Sequence, residues 1–219
     1  MNWFQATWLI VPLLVSGPPT AGAQDNERLP IRIYSAAGVP DRTVDMAVEE
    51  AARILAAAGV PTEWKHGSAD ADEAHVVDFT GPSTASVPRP DTRACLVVRI
   101  VRQAPPGLPR NALGMALPFA RAGVHVTVFD DRVRKAVTSS QVPLARIMGA
   151  ALAHEIAHVL LPGSRHSAGG ITKGGWNYRD FQLAAQGSLL FDEAEARSLR
   201  EHVRKRLAES HPELAAQNR

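Results

Sequence analysis

Two histidines and a glutamate stand close together in the second half of the sequence, in a pattern that suits metal chemistry. The segment HEIAH, from His154 to His158, is an HExxH motif. Residues four apart lie on one face of a helix, so the two histidines would present their imidazoles together, as a tetrahedral zinc ion requires. Glu155 would lie about 100° around the helix from His154. It would then reach a water molecule at the metal without being a ligand, which predicts a general base.

A third histidine follows the motif, beyond a predicted break in the helix. Pro162 and Gly163 come shortly after His158. Proline cannot continue a helix and glycine accepts a left-handed cap, so this pair predicts the helix end. On a straight helix His166 would lie about 12 Å beyond His158 along the axis. A loop that reverses the direction of the chain would bring His166 back to the other two histidines. The sequence therefore predicts that His154, His158 and His166 bind Zn²⁺ and leave one coordination position open.

The segment around the motif resembles the zincin metallopeptidases, and specifically the metzincin branch, in which HExxH is followed by a glycine turn and a third histidine. It is still closer to a group of short exported bacterial zincin-like proteins. In that group a His-Ser step, a Gly-Ile-Met segment, an aromatic-rich stretch and a C-terminal helix follow the motif. The matching positions here are His166-Ser167, Gly170-Ile171-Thr172, Trp176, Asp180 and the helix from Asp192. The resemblance covers about residues 112–206.

Two features depart from the metzincin pattern. In the metzincin pattern the third histidine comes six residues after the second, with glycine at the third of these positions. Here His166 comes eight residues after His158, and Leu161 stands at the glycine position. Thr172 stands where the resemblance implies a methionine that packs beneath the metal without binding it. The resemblance also implies a zincin-like single domain in which an edge strand, here Leu113 to Leu117, pairs with an extended substrate.

These roles predict a zinc metalloendopeptidase that acts on a peptide or protein substrate. Zinc held by three neutral imidazoles lowers the pKa of its bound water to about 7. Glu155 would accept a proton as the water attacks the carbonyl group and return it to the leaving amine. Tyr178 is a candidate donor to the developing oxyanion, and Asp180 is a candidate to orient a ligand imidazole.

Two other functions stay open at this point. A catalytically idle zinc-binding module could recognise peptide or cell-wall material through the same cleft, although the presence of Glu155 favours an enzyme. A zinc amidase or deformylase would use Cys95 as a ligand, although free cysteines are usually small core residues. Glu193 and Glu195 open the last helix, where acidic side chains favour the helix N-terminus; other zincins draw a third ligand from such a helix.

The hydrophobic pattern predicts strands with one early helix, followed by helices, which is an α+β order. The predicted strands are residues 31–35, 60–66, 75–79, 95–101, 113–117 and 124–129. The predicted helices run from Asp41 to Gly59, from Asp130 through Ala136, from Pro143 to about Leu161 and from Asp192 to about Leu207. We therefore expect a twisted mixed sheet with an early helix, an active-site helix that carries HExxH and a C-terminal helix.

The N-terminal stretch has the composition of a leader. Residues 1–24 contain no Asp, Glu, Lys or Arg, and an apolar run from Trp8 to Val15 precedes the small residues Ala21-Gly22-Ala23. We predict a signal peptide of residues 1–23, export to a periplasm or the medium, and no stable membrane span after cleavage. Residues 24–219 would then form one domain that includes the loop-rich segments 81–94 and 103–111.

Composition excludes several classes of protein. The 219 residues are 45% apolar, which suffices for one domain with a real core and excludes a chain that is disordered throughout. A net charge of +2 without a dense basic run gives no indication of nucleic-acid binding. The single cysteine excludes an internal disulfide and a cysteine-rich metal cluster.

Overall fold

A computed structural model describes residues 28–35, 38–67, 94–120, 123–161, 163 and 166–210. Within these ranges the strands are β1 (Leu29–Ser35), β2 (Thr62–His66), β3 (Leu96–Val101), β4 (Gly114–Ala116) and β5 (Val126–Phe129). The helices are α1 (Asp41–Ala57), α2 (Asp130–Ser140), α3 (Leu144–Leu160), α4 (Tyr178–Ala185) and α5 (Glu193–Ser210). The predicted signal peptide (1–23), the predicted strand 75–79 and Pro162 lie outside the described residues.

The strands form one mixed sheet in the order β2-β1-β3-β5-β4. The four neighbours from β2 to β5 are parallel, and β4 pairs antiparallel with β5 at the edge of the sheet. Helix α1 is the crossover that parallel pairing of β1 with β2 requires. The central strand β3 is a nearly continuous apolar run because it is buried along almost its whole length. The sheet thus ends at the short strand β4, whose main chain pairs with β5 on one side and with no described strand on the other.

Helix α3, which carries the HExxH motif, lies in the core. Thirteen of its seventeen residues are buried, so it is apolar on nearly all sides. It packs closely on α1: a Cβ atom at Gly149 would come within 2.6 Å of the Ala47 carbonyl oxygen. The buried carboxylate of Glu50 on α1 pairs with Arg53 of the same helix, at 2.8 Å, and with Arg146 of α3; the second ion pair joins the two helices. The helix that carries the motif is therefore held in place by core packing and by its contacts with α1.

The structure differs from the sequence expectations mainly at element boundaries. Helix α2 continues to Ser140 rather than ending near Ala136, and α5 continues to Ser210. Helix α4, between Trp176 and Asp192, was not predicted from the sequence pattern. None of the helices in the described ranges combines the length and apolarity that crossing a membrane requires.

Candidate metal centre

The two histidines of the motif face each other across one turn of α3. Their Nε2 atoms lie 3.1 Å apart, and the ring centroids of His154 and His158 are separated by 4.7 Å. Both side chains are half-buried, whereas the residues around them on α3 are buried. This is the arrangement that the four-residue spacing predicts.

His166 completes a cluster of three imidazoles. Helix α3 ends at Leu160, and Gly163 has a φ of +85°, as expected of the predicted break. The loop then brings the ring of His166 to 5.4 Å from that of His154 and 4.9 Å from that of His158, between centroids. One nitrogen from each of the three residues lies within 4.8 Å of the others, which would allow the group to hold a metal ion.

A main-chain carbonyl orients the first histidine. Nδ1 of His154 lies 2.6 Å from the oxygen of Ile171, so the ring donates this N–H and leaves Nε2 as a lone pair toward the cluster. The same oxygen accepts a hydrogen bond of 3.2 Å from Nε1 of Trp176. The Trp176 ring also packs edge-on against His154, at 5.8 Å between centroids, and against Phe181. The sequence does not indicate this role of Ile171, because every residue type carries the same main-chain carbonyl group.

A chain of hydrogen bonds between hydroxyl and carboxyl groups connects the loop that carries His166 to helix α5. The buried hydroxyl of Thr172 lies 2.7 Å from Ser167 Oγ and donates a hydrogen bond to Glu195 on α5. Glu195 also forms a reciprocal cap with Asp192 at the start of α5. Thr172, at the position where the resemblance implies a methionine, therefore joins the histidine loop to the last helix through hydrogen bonds.

The environment keeps the motif histidines neutral at pH 7. Burial, together with a smaller effect of the neighbouring imidazoles of His154 and His166, lowers the pKa of His158 to about 4. Burial also lowers the pKa of His154, partly opposed by its hydrogen bond to Ile171. A metal ion binds the neutral form of imidazole, so these pKa shifts favour a ligand set over a set of charged side chains.

Glu155 lies in the same cleft under the edge strand. Its carboxyl group is buried, and burial raises its pKa to about 8. A Cβ atom at Gly114 of β4 would come within 2.8 Å of Glu155 Cγ, so the strand crosses directly over this side chain. The cleft has a volume of about 750 Å³ and is lined by Glu155 and all three histidines.

The donor set suits zinc. Tetrahedral zinc with bonds of 2.0–2.1 Å to nitrogen places its ligand atoms about 3.3 Å apart, near the observed separation of the two motif Nε2 atoms. The Ile171 carbonyl supplies the outer hydrogen bond that metal-binding histidines usually make. Three nitrogen ligands with a carboxyl group alongside are typical of a catalytic rather than a structural zinc site.

Several other candidates from the sequence lie away from the cluster. Tyr178 is 68% exposed at the start of α4 and does not line the cleft. Asp180 is buried, but its carboxylate pairs with Lys173 at 2.6 Å and caps α4 through the main-chain nitrogen of Asn177. Cys95 is buried just before β3 and is not part of the histidine group. Glu193 pairs with Arg200.

Comparisons with known proteins identify the fold. No protein-family model matches the sequence, and no curated protein matches it. The structure of a zinc-dependent peptidase from Methanocorpusculum labreanum (strain Z) is similar with a TM-score of 0.51 and 14% identity, over 77% of this chain and 99% of that chain. Archaemetzincin from Methanopyrus kandleri gives a TM-score of 0.46 and 14% identity, over 81% and 96% of the two chains. The chain shares its fold with the first of these proteins, which confirms the predicted α+β class with a mixed sheet.

Proposed function

We propose that this protein is a zinc-dependent metallopeptidase in which His154, His158 and His166 hold the ion and Glu155 is the general base. The observation that carries the proposal is the convergence of three imidazoles beside a buried carboxyl group in one cleft. The fold shared with a zinc-dependent peptidase supports it.

Each part of the cleft has a role in this reaction. Zinc bound by the three imidazoles would act as a Lewis acid toward water and the substrate carbonyl group. The outer side of β4 offers main-chain groups to an extended peptide. Glu155 would accept the proton of the attacking water and deliver it to the leaving amine. Burial raises the pKa of the Glu155 carboxyl group, and the positive charge of a zinc ion held by the three histidines would lower it toward the carboxylate that a base requires.

The proposal is tested by Glu155→Gln, assayed with zinc on a peptide library and a denatured protein. We expect activity to fall by about 10²–10⁴-fold while bound zinc is unchanged, because the base is lost and the ligands are kept. Glu201→Gln on α5, an exposed site with the same change of charge, is the matched control and should keep full activity.

Two results would count against the proposal. Equal turnover by the Glu155→Gln variant and the unmodified protein would remove Glu155 as the base. Absence of turnover in both proteins, with zinc bound, would instead favour the idle module that recognises peptide or cell-wall material.

We also propose that the enzyme acts outside the cytoplasm. The uncharged N-terminal residues and the small residues up to Ala23 support a cleavable signal. Mass spectrometry of the exported protein should find a chain that begins at Gln24. A full-length chain retained in the cytoplasm would contradict export and leave the proposed chemistry untouched.

A further inference from the structure

One wall of the cleft carries a group of cations. Arg132 and Lys135 stand one turn apart on α2, and Arg110 lies in the loop before β4; all three line the cleft. A guanidinium nitrogen of Arg132 donates a hydrogen bond of 2.6 Å to the main-chain oxygen of Arg110, so the loop and the helix are fixed together. We call Arg110, Arg132 and Lys135 the basic wall.

The helical spacing directs these side chains to the cleft rather than to solvent on the far side of α2. Residues 132, 135, 136 and 139 line the cleft and follow one face of the helix at intervals of three and four. Arg134, in contrast, pairs with Asp130 at 2.7 Å and does not line it. The positive charge is thus concentrated on the face of α2 that a substrate would meet.

The charges of the basic wall are largely available to a ligand. No described residue forms an ion pair or a hydrogen bond with the charged groups of Arg110 and Lys135, and both residues are exposed. Besides its hydrogen bond to the Arg110 oxygen, the Arg132 guanidinium has one acidic neighbour among the described residues, the Asp131 carboxylate, at 3.7 Å. Lys173, a fourth cation of the cleft, is already paired with Asp180.

Negative charge is scarce in the same cavity. Among the described residues that line it, Glu155 is the only acidic one, against the three cations of the basic wall and Lys173. A cleft lined by charges of one sign attracts ligands of the opposite sign and raises their local concentration. Guanidinium groups also bind carboxylates through paired hydrogen bonds.

We propose that the substrates are acidic peptides, with Asp or Glu side chains close to the scissile bond held by the basic wall. Cleavage of these peptides rests on the proposed function, whereas their binding depends on the side chains of the basic wall. Acidic peptides should therefore bind even where no bond is cleaved.

The test separates binding from cleavage. Fluorescent peptides that carry Glu, Gln or Lys at the positions flanking one central dipeptide are titrated into zinc-loaded Glu155→Gln protein, and the same peptides are assayed for cleavage by the unmodified enzyme. We expect the Glu peptide to bind and react best, and this preference to weaken as salt is raised. Lys135→Gln and Arg110→Gln should each reduce the preference about two- to fivefold. Lys205→Gln, on the exposed surface of α5, removes the same charge outside the cleft and should leave it unchanged.

The outcomes distinguish this inference from the proposed function. Equal binding and cleavage of Glu and Gln peptides would overturn the inference and leave the peptidase intact. Selective binding of Glu peptides without cleavage of any peptide would support the inference and refute the peptidase. Equal losses in the Lys135→Gln and Lys205→Gln variants, or tighter binding of a single-stranded oligonucleotide than of the Glu peptide, would overturn it.

Discussion

Gly114 of the edge strand lies against the side chain of Glu155, with no room for a methyl group between them. A Cβ atom at this position would be 2.8 Å from Glu155 Cγ and 2.7 Å from the carbonyl oxygen of Thr127. Contacts this short force either the strand or the carboxyl group to move. The edge of the sheet and the proposed base are therefore positioned by one close contact.

The variant Gly114→Ala should lose activity through displacement of Glu155. Overpacking of this kind costs about 1–3 kcal/mol. We expect kcat to fall more than zinc affinity because the atoms nearest the added methyl group belong to Thr127 and Glu155. Gly169→Ala is the control, since a Cβ atom there meets nothing within 4 Å. Steady-state kinetics and zinc titration of both variants provide the measurement. Unchanged kcat in Gly114→Ala would show that Glu155 does not need its present position.

Zinc content distinguishes the ligand sets that the sequence left open. His166 is exposed, so His166→Ala should fold normally and bind zinc at least about 100-fold more weakly because one of three ligands is missing. Cys95→Ala should keep one zinc per chain, since Cys95 lies outside the histidine cluster. Competition with a chromophoric chelator measures both affinities. Loss of zinc from Cys95→Ala, with zinc kept in His166→Ala, would revive the amidase or deformylase assignment.

The hydroxyl of Thr172 should be needed for stability and for tight metal binding. Thr172→Val keeps the shape but leaves Glu195 and Ser167 without their buried partner, which we expect to lower the free energy of unfolding by about 1–3 kcal/mol. Zinc affinity should fall by about tenfold because the loop of His166 loosens. Thr172→Ser restores the hydroxyl and should recover most of both quantities. Urea denaturation of metal-free protein and zinc titration test this, and a valine variant equal to the serine variant would contradict it.

His125 should make the protein less stable in mild acid. It is buried, its Nδ1 accepts a hydrogen bond from the main-chain nitrogen of Val97, and burial lowers its pKa from 6.5 to about 4. Above pH 6.5 the ring is neutral in the folded and unfolded chains. As the pH falls from 6.5 toward 4, only the unfolded chain gains the proton, so stability is lost progressively, by about 3 kcal/mol in all.

The variant His125→Gln isolates this effect in metal-free protein. Glutamine offers an oxygen to Val97 and does not titrate, while the histidines of the cluster titrate equally in both proteins. As the pH falls from 7 to 4, the free energy of unfolding should therefore decrease more in the unmodified protein than in the variant. Parallel curves over this range would mean that His125 titrates normally when folded.

Long elements with a clear hydrophobic period were predictable from the sequence. The spacing of apolar residues gave α1 and α3 within a few residues of their observed ends, and the apolar run gave β3. The HExxH spacing and the helix break after Leu161 also indicated which three histidines converge. Helix α4 was missed because it has only eight residues, too few for the helical spacing of apolar residues to repeat. The capping box between Asn177 and Asp180 was the signal that could have revealed it.

The parts of the site that depend on main-chain atoms or distant partners could not be predicted. The Ile171 carbonyl that orients His154 could belong to any residue type, so the sequence carries no sign of it. The hydrogen bond from Thr172 to Glu195 joins residues 23 apart, and the ion pair of Glu50 with Arg146 joins residues 96 apart. Such pairs are set by how the elements pack, which local patterns do not encode.

The edge-on contact between Trp176 and His154 provides the protein with a built-in optical probe. The indole ring is half-buried, 5.8 Å from the imidazole, and it shares the Ile171 oxygen with that imidazole. Indole emission is sensitive to such neighbours, so loading of the cluster should be visible as a change in intrinsic fluorescence. Trp64, on β2 at the opposite edge of the sheet, can be changed to phenylalanine to remove its background signal. Ion exchange at this centre could then be followed in real time without a label.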